Sequence, residues 1–221
     1  MTHESTTITR LGAGRATWLA RTGLIALGFV PLLAGAIRLT ELTGGAEVTP
    51  DNARFFAAPL PVALHIVAAC LYNLLGAFQF GGRWRPRRHR VLGRILVPLG
   101  LVAALTGLWL TLFSALPPGD GGLLAAFRLV FGTVMAGSLV LGVAAVLRRD
   151  IARHRAWMMR AYALGLAAGS QAVTQALWFL FVPAPPDGTG RALLVGAGWV
   201  INLAVAEWIV RRRRAGRPVR A

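Results

Sequence analysis

Two short segments of this chain repeat a pattern of residue types that can bind anions or ligate metals. One reads RHRVLGR from Arg88 to Arg94, and the other reads RHRAWMMR from Arg153 to Arg160. Imidazole titrates near neutral pH and ligates metals, while guanidinium groups clamp carboxylate or phosphate through paired hydrogen bonds. The motifs therefore predict a site for an anionic headgroup, a phosphorylated ligand or haem propionates, with these candidate ligand-binding residues: His89, Arg90, Arg94, His154, Arg155 and Arg160.

Arginine-rich helix starts also have a simpler explanation. Such residues can anchor a membrane helix in one orientation while their guanidinium groups reach the phosphate headgroups of the lipid. Anchoring explains the arginines but not the histidine at the same place in both motifs, since the chain holds only 4 His. Both explanations remain open on the sequence.

A second set of polar residues falls on one face of an apolar segment. His65, Ala69, Tyr72, Gly76 and Gln79 follow one another by steps of four and three, and Asn73 lies beside them. Because polar groups facing lipid are costly, this face is expected to point into the helix bundle or into a cavity. A hydrogen-bond network between helices and a ligand seat both explain it. The candidate intramembrane polar face, with two partners from a later segment, comprises His65, Tyr72, Asn73, Gln79, Gln171 and Gln175.

The elements that carry these residues are predicted to be membrane helices. Hydrophobic residues make up 56% of the 221 and charged residues only 14%, with a mean hydropathy of +0.60, which excludes a water-soluble globular protein. Six apolar runs are long enough to cross a hydrocarbon core of about 30 Å. We therefore predict an all-α polytopic bundle, one integral membrane domain over residues 1–221, with six transmembrane helices at about 18–37, 55–80, 91–116, 123–147, 157–182 and 192–210.

Arginine placement predicts the orientation of these spans. All 24 basic residues are arginine and the net charge is +16, but the arginines cluster between apolar runs, which indicates membrane topology rather than nucleic acid binding. With the N-terminus inside, every arginine except Arg38, Arg54, Arg128 and Arg191 lies on the cytoplasmic side. Both termini are therefore expected in the cytoplasm.

The first span has a second interpretation. Arg21 precedes an apolar run that contains Ala34-Gly35-Ala36, which resembles a signal peptide with a small-residue cleavage site. Whether this span is removed stays open on the sequence.

Small residues predict where helices approach one another closely. Gly93, Gly100 and Gly107 recur every seven residues in the third span, and Gly165 and Gly169 form a similar pair in the fifth. In lipid, such residues let helix backbones pack together, so core packing is favoured over ligand contact. Glu207 precedes Arg211 by one helical turn and is expected to pair with it.

Three segments resemble a bacterial family of membrane proteins catalogued as domain of unknown function 2306. They are HIVAACLYNLLGAFQF from His65, HRVLGR from His89 and HRAWMMRAYALGLAAGSQAVTQAL from His154, so the resemblance covers about residues 60–180. It implies a multi-pass protein of the bacterial cytoplasmic membrane and supplies no catalytic residue. The motif positions of the family correspond here to His65, Gln79, His89, Arg90, Gly93, Arg94, His154, Trp157, Met158, Arg160 and Tyr162.

Three functions follow as hypotheses. The first is a binding or structural role in which the His and Arg motifs engage anionic lipid or a small anionic ligand. The second is electron transfer by a single b-type haem, held between His89 and His154 or by His65 with a partner other than histidine. A lipid- or quinone-modifying enzyme ranks third, because the sequence has no nucleophile with a nearby base, carboxylate pair or HExxH motif. Membrane lipid is the expected partner, and the oligomeric state is left open.

Overall fold

The computed structural model describes residues 2–50, 52–79, 86–116 and 119–215, with side chains from residue 18 onward except that of residue 214. Within these residues the chain is all-helical and no strand occurs. The helices are α1 (Thr2–Thr43), α2 (Ala53–Ala57), α3 (Pro59–Ala77), α4 (Pro86–Phe113), α5 (Gly122–Leu147), α6 (Ile151–Gly165), α7 (Ala167–Phe181) and α8 (Gly188–Ala215).

The long helices have the length and composition of membrane spans. Five qualify in the described chain: α3, α4, α5, α8 and the Trp18–Thr43 part of α1, and the count is six if the bent pair α6 and α7 is one span. Large apolar side chains cover the outside of the bundle, for example Phe181 at 83% and Leu180 at 74% exposure. Water would disfavour so much exposed apolar surface, whereas the acyl chains of a bilayer accommodate it.

Local sequence accounts for several helix ends. Pro59 lies in the first turn of α3, where a missing backbone N–H costs nothing. Asp150 caps α6, since its carboxylate accepts a hydrogen bond from the Arg153 backbone N–H at 2.9 Å. The tight turn before it places Arg149 at a positive φ of 59°. This turn makes α5 and α6 an antiparallel hairpin whose helices pack closely.

Helices α3, α4, α5 and α6 pack against one another, and α8 packs against α5, α6 and α7. The buried core between them includes Tyr72 of α3, Leu96 of α4, Leu139 of α5 and Tyr162 of α6. α1 is peripheral: it contacts α3 and α7, and none of its most apolar window is buried inside the protein. One end of the bundle holds the first turns of α4 and α6, with His89 and His154, and is called the His–Arg end below. The opposite end holds Asp120 and is called the Asp120 end.

The structure differs from the predicted spans mainly in the fifth. The run 157–182 was expected to be one helix, but α6 and α7 meet at Leu166 with a bend of 43°. The second run, 55–80, is divided between α2 and α3, because a turn at Ala58 precedes Pro59. α5 matches its predicted limits within one residue, α4 begins five residues earlier and ends three residues earlier than predicted, and α8 and α1 extend beyond both predicted limits. Among residues used in the sequence predictions, several lie outside the described residues: Asp51, Phe80, Arg83, Arg85, Arg217 and Arg220.

Candidate functional site

The predicted polar face of α3 packs against the glycine repeat of α4. A Cβ atom built on Gly107 would lie 3.0 Å from the His65 ring, and one on Gly100 would lie 2.7 Å from the Tyr72 ring. The Gln79 amide similarly covers Gly93, at 3.8 Å. Two seven-residue repeats therefore match one another along antiparallel helices, and each glycine provides the space that a polar or aromatic side chain of α3 fills.

Gln79 joins the end of α3 to the first histidine motif. Its Nε2 donates to the backbone carbonyl of His89 at 3.2 Å, while its Oε1 is buried with no hydrogen-bond partner in the described structure. The His89 side chain itself is exposed. His154 and Arg155 of the second motif lie within electrostatic range of the His89 imidazole. The structure thus brings the two histidine motifs to the same end of the bundle.

The second motif is anchored on α5 through Gly142. His154 Nδ1 lies 2.8 Å from the Gly142 carbonyl oxygen, so its N–H donates a hydrogen bond to that oxygen and leaves Nε2 as the acceptor or ligating atom of the neutral ring. The Trp157 and Met158 side chains cover Gly142, where a Cβ atom would collide with the Met158 methyl group. The hydrogen bond to Gly142 therefore fixes the orientation of the His154 ring.

Arg160, the last residue of the second motif, forms an ion pair that the sequence prediction missed. Its Nε donates to the Glu207 carboxylate on α8, and its guanidinium lies 4.6 Å above the Trp157 ring. The predicted partner of Glu207, Arg211, is 3.9 Å away. Glu207 thus links α6 to α8, and no local spacing in the sequence indicates a partner 47 residues away.

Of the other arginines in the two motifs, Arg153 alone has a carboxylate partner in the described structure, Asp150. Arg90, Arg94 and Arg155 are exposed, and none has a carboxylate partner among the described residues. The nearby carboxylate of Asp150 caps α6 and lies 3.9 Å from Arg153. The His–Arg end therefore presents an excess of positive charge.

In the middle of the bundle, the polar face of α3 meets the end of α6. The Tyr162 hydroxyl donates to the Asn73 backbone carbonyl at 2.8 Å, and Asn73 Nδ2 donates to the Gly165 carbonyl at 3.0 Å. The Tyr72 and Tyr162 rings contact each other with centroids 5.9 Å apart. Part of the α3 face is thus a hydrogen-bond network between helices, one of the two explanations that the sequence left open.

The two glutamines proposed as partners of α3 make other contacts. Gln175 Nε2 donates to the Gln171 backbone carbonyl within α7, and no described hydrogen bond joins either side chain to α3. Links from α7 to α8 come instead from Thr174, which donates to the Leu194 carbonyl, and from Ser170, which donates to Asn202. Gln171 Nε2 is buried without a hydrogen-bond partner in the described structure.

A central cavity of about 460 Å³ lies between α1 and the rest of the bundle. Its walls are mainly apolar, and it reaches from the middle of the bundle to the Asp120 end. Such a volume is within the range of about 300–1,000 Å³ that is typical of small-molecule sites. The polar and aromatic residues that line it include His65, Tyr72, Asn73, Gln171, Arg54 and Arg128. His65 Nδ1 lies 2.9 Å from the Ala103 carbonyl and donates to it, which leaves Nε2 as the acceptor.

At the Asp120 end, the structure gathers all four arginines that the topology prediction placed outside the cytoplasm. The fully buried Asp120 carboxylate accepts hydrogen bonds from Arg128 and, at 2.6 Å, from Arg191. Arg38 pairs with Glu41 and lies 4.0 Å above the Phe55 ring, which Arg54 also contacts. Burial lowers the pKa of Arg54; Asp120 opposes that shift, while the charges of Arg128, Arg38 and Arg191 add to it.

Comparison with protein families agrees with the motifs. Residues 62–210, more than half of the chain, match the family described as "Predicted membrane protein (DUF2306)". This chain belongs to the DUF2306 family. Among curated proteins and among solved structures, the comparisons find no match.

Some of the site residues lie inside the DUF2306 match and others precede it. It extends beyond residue 180, where the sequence motifs ended, and includes most of α8 with Asn202 and Glu207. Both histidine motifs and most of the cavity lining lie inside it. The wall formed by α1 and the arginines Arg38 and Arg54 precede it. The group of four arginines at the Asp120 end of the cavity is called the mouth of the cavity below. In this DUF2306 protein it is therefore partly built by residues outside the family match.

The two forms of the haem hypothesis stay predictions, and the structure separates the histidines that they use. The central cavity is lined by His65 but not by His89 or His154. His65 packs against Gly107, which is 18 residues and about 27 Å along α4 from His89.

Proposed function

We propose that this DUF2306 protein is a six-span protein of the bacterial cytoplasmic membrane that binds an anionic headgroup or phosphorylated ligand at its His–Arg end. In this proposal α6 and α7 form one broken span, and both termini are cytoplasmic. The site comprises His89, Arg90, Arg94, His154, Arg155 and Arg160.

The observation that carries this proposal is the convergence of two histidine motifs from different hairpins. His154 and Arg155 of α6 lie within electrostatic range of His89 on α4. Simple anchoring of each hairpin does not require the two motifs to lie near one another. Of the arginines in this site, Arg160 is paired with Glu207, while Arg90, Arg94 and Arg155 have no carboxylate partner among the described residues. An excess of like charge of this kind favours a bound anion, because the anion offsets the mutual repulsion.

The residues of the motifs differ in how they are held: some are bonded to other helices, and others are exposed. Gly142 and Glu207 fix His154 and Arg160 from α5 and α8, so these two side chains are held in place. Arg90, Arg94 and Arg155 are exposed and supply the charge. Exposed guanidinium groups suit a phosphate oxygen, which accepts several charge-assisted hydrogen bonds.

Selective lipid retention tests this site. The protein is purified in mild detergent, incubated with equal amounts of phosphatidylglycerol and phosphatidylcholine, and the retained lipid is measured by native mass spectrometry. We expect Arg155→Gln and His89→Gln to lower the phosphatidylglycerol preference about tenfold, the effect of losing one charge-assisted hydrogen bond. The matched control is Arg212→Gln, which removes an equal charge at the same end but from a guanidinium that lies over Trp208.

The control separates a site from general attraction. Each arginine near a membrane surface contributes about 1 kcal/mol of attraction to anionic lipid whatever its position. If Arg212→Gln and Arg155→Gln lower the preference equally, the His–Arg end is only an anchor and the proposed site is wrong. Inorganic phosphate that displaces the retained lipid in the wild type, but not in His89→Gln, would identify a phosphate site rather than a lipid site.

The proposed orientation has its own test. Single cysteines replace Arg148, in the turn between α5 and α6, or Asp187, before α8, in a Cys70→Ala background. A maleimide that does not cross membranes is added to intact cells. Labelling at position 187 and protection at position 148 support cytoplasmic termini, whereas the reverse pattern contradicts them.

A further inference from the structure

We propose that the central cavity binds a single-chain amphiphile with an anionic head, such as a long-chain carboxylate, whose head lies at Arg54 and Arg128. This site is at the Asp120 end and uses none of the residues of the His–Arg site, so it does not depend on the function proposed above.

The charges at the mouth of the cavity favour an anionic head. Four arginines surround two carboxylates there: Asp120 accepts from both Arg128 and Arg191, and Glu41 pairs with Arg38. Arg54 is the member of this group without a described carboxylate partner, and its Nε is buried with no hydrogen-bond acceptor among the described residues. Because a guanidinium is effectively always charged, a carboxylate or phosphate is the group that completes its contacts.

Unpaired polar atoms continue along the cavity. Besides Arg54 Nε, three buried side-chain atoms without described partners belong to residues of its wall: Ser114 Oγ, Asn73 Oδ1 and Gln171 Nε2. A buried polar group without a partner is costly, and more so in a membrane, where water is scarce. Their concentration around one cavity indicates an occupant that carries polar atoms as well as apolar surface.

The walls and volume favour one acyl chain. Most of the lining is apolar, and α1 contributes a side of it with Leu24, Gly28, Phe29 and Leu32. A volume of about 460 Å³ is in the lower half of the usual range for small-molecule sites. We therefore expect one acyl chain inside the protein rather than the two acyl chains of a bilayer phospholipid.

Direct binding of radiolabelled palmitate to the purified protein tests the proposal, with hexadecanol as a competitor of equal chain length and no charge. We expect the wild type to prefer palmitate about tenfold, since the charged head gains an Arg–carboxylate hydrogen bond. Arg54→Gln should remove that preference. The matched control is Arg38→Gln, which removes a charge over the same Phe55 ring but from a residue outside the cavity lining.

A second pair of variants tests where the acyl chain of the ligand lies, without changing a charge on the protein. Ala168 lines the cavity and is exposed, so Ala168→Trp fills the space with little steric conflict. We expect it to weaken palmitate binding at least tenfold. Leu180→Trp adds an indole on the lipid-facing surface, where Leu180 is 74% exposed, and should leave binding unchanged.

Several results would overturn the proposal. They are absent palmitate binding, equal affinity for hexadecanol, or equal effects of the paired variants. Displacement of palmitate by dioleoylphosphatidylglycerol at equal concentration would show that a bilayer lipid occupies the cavity instead. A Soret band in the purified protein that disappears in His65→Ala would assign the cavity to haem. If Arg54→Gln fails to fold, the tryptophan pair and the hexadecanol comparison still decide the outcome.

Discussion

Asn73 on α3 donates a hydrogen bond from Nδ2 to the Gly165 carbonyl, 3.0 Å away, at the point where α6 ends. In a continuous helix that carbonyl would accept from the Gly169 N–H, which here donates to Leu166 instead. Asn202 on α8 likewise donates a hydrogen bond from Nδ2 to the Ala163 carbonyl, also at 3.0 Å. Two asparagines from neighbouring helices therefore satisfy backbone groups at the bend, as a break inside a membrane requires.

Replacing Asn73 should weaken the protein through this contact. Asn73→Leu keeps a side chain of similar shape but leaves the Gly165 carbonyl without its described donor, and we expect a loss of about 1 kcal/mol in the free energy of unfolding. Reversible unfolding in sodium dodecyl sulphate measures it. Leu71→Ala, which shortens an exposed side chain on the same helix, is the control. An unchanged stability of Asn73→Leu would mean that the bend does not need this hydrogen bond.

Gly76 should tolerate no side chain. A Cβ atom there would collide with the Tyr162 ring, which is held by its hydroxyl on Asn73 and by the Tyr72 ring. We expect Gly76→Ala to lower the free energy of unfolding by about 1–3 kcal/mol, because overpacking forces the helices apart. Gly137→Ala on α5 is the matched substitution, since nothing lies within 4 Å of its Cβ position.

For the control variant, Gly137→Ala, the expected change in the free energy of unfolding has the opposite sign. An alanine in a helix interior is more favourable than a glycine by about 0.5–1 kcal/mol when the space is open. Gly137→Ala should therefore leave stability equal or slightly higher. If both variants lose the same stability, the cost comes from the substitution of helical glycine itself and not from Tyr162.

Periodicity predicted much of the packing between α3 and α4. The polar residues of α3 and the glycines of α4 each repeat every seven residues, and each repeat alone indicated a face turned toward a neighbour. The structure adds that the two faces meet, with His65 against Gly107 and Tyr72 against Gly100. Sequence could not assign this pairing, because a helical repeat shows which residues share a face but not which helix covers it.

The contacts that could not be predicted join residues far apart in the chain. The bend at Leu166 occurs in a run without proline. Gly165 beside it marks a weak point in the helix, but a glycine does not by itself indicate a break. The asparagine partners of the bend lie far away in the chain, on α3 and α8. The four arginines at the Asp120 end were recognised one by one as exceptions to a topology rule. Their meeting around Asp120 and Glu41 depends on how helices from distant parts of the chain assemble.

Glu207 should behave as a link between helices rather than as a surface charge. Its carboxylate accepts from Arg160, whose side chain is only 17% exposed, while Arg211 is 3.9 Å away and 81% exposed. We expect Glu207→Gln to cost about 1–2 kcal/mol in the free energy of unfolding and Arg211→Gln less than about 0.5 kcal/mol. A double-mutant cycle of Arg160→Gln with Glu207→Gln measures the coupling. A coupling near zero would contradict the interhelical role.

The position of α1 should depend on Gly169 of α7. A Cβ atom on Gly169 would collide with the backbone carbonyl of Leu27, and backbone cannot rotate away as a side chain can. Farther along α1, a Cβ atom on Gly35 would lie 3.3 Å from Cys70 Sγ, close enough for a disulfide, whose S–S bond is about 2.0 Å. It would also lie 2.8 Å from Ile66 Cγ2, so the end of the Ile66 side chain must shift to admit it. Mild oxidation of Gly35→Cys should therefore consume both thiols, as counted by alkylation and mass spectrometry. Adding Gly169→Val should abolish the disulfide, and adding Gly137→Val should not. A disulfide that forms equally in both backgrounds would show that α1 is held by its contact with α3 alone, without the close approach to α7.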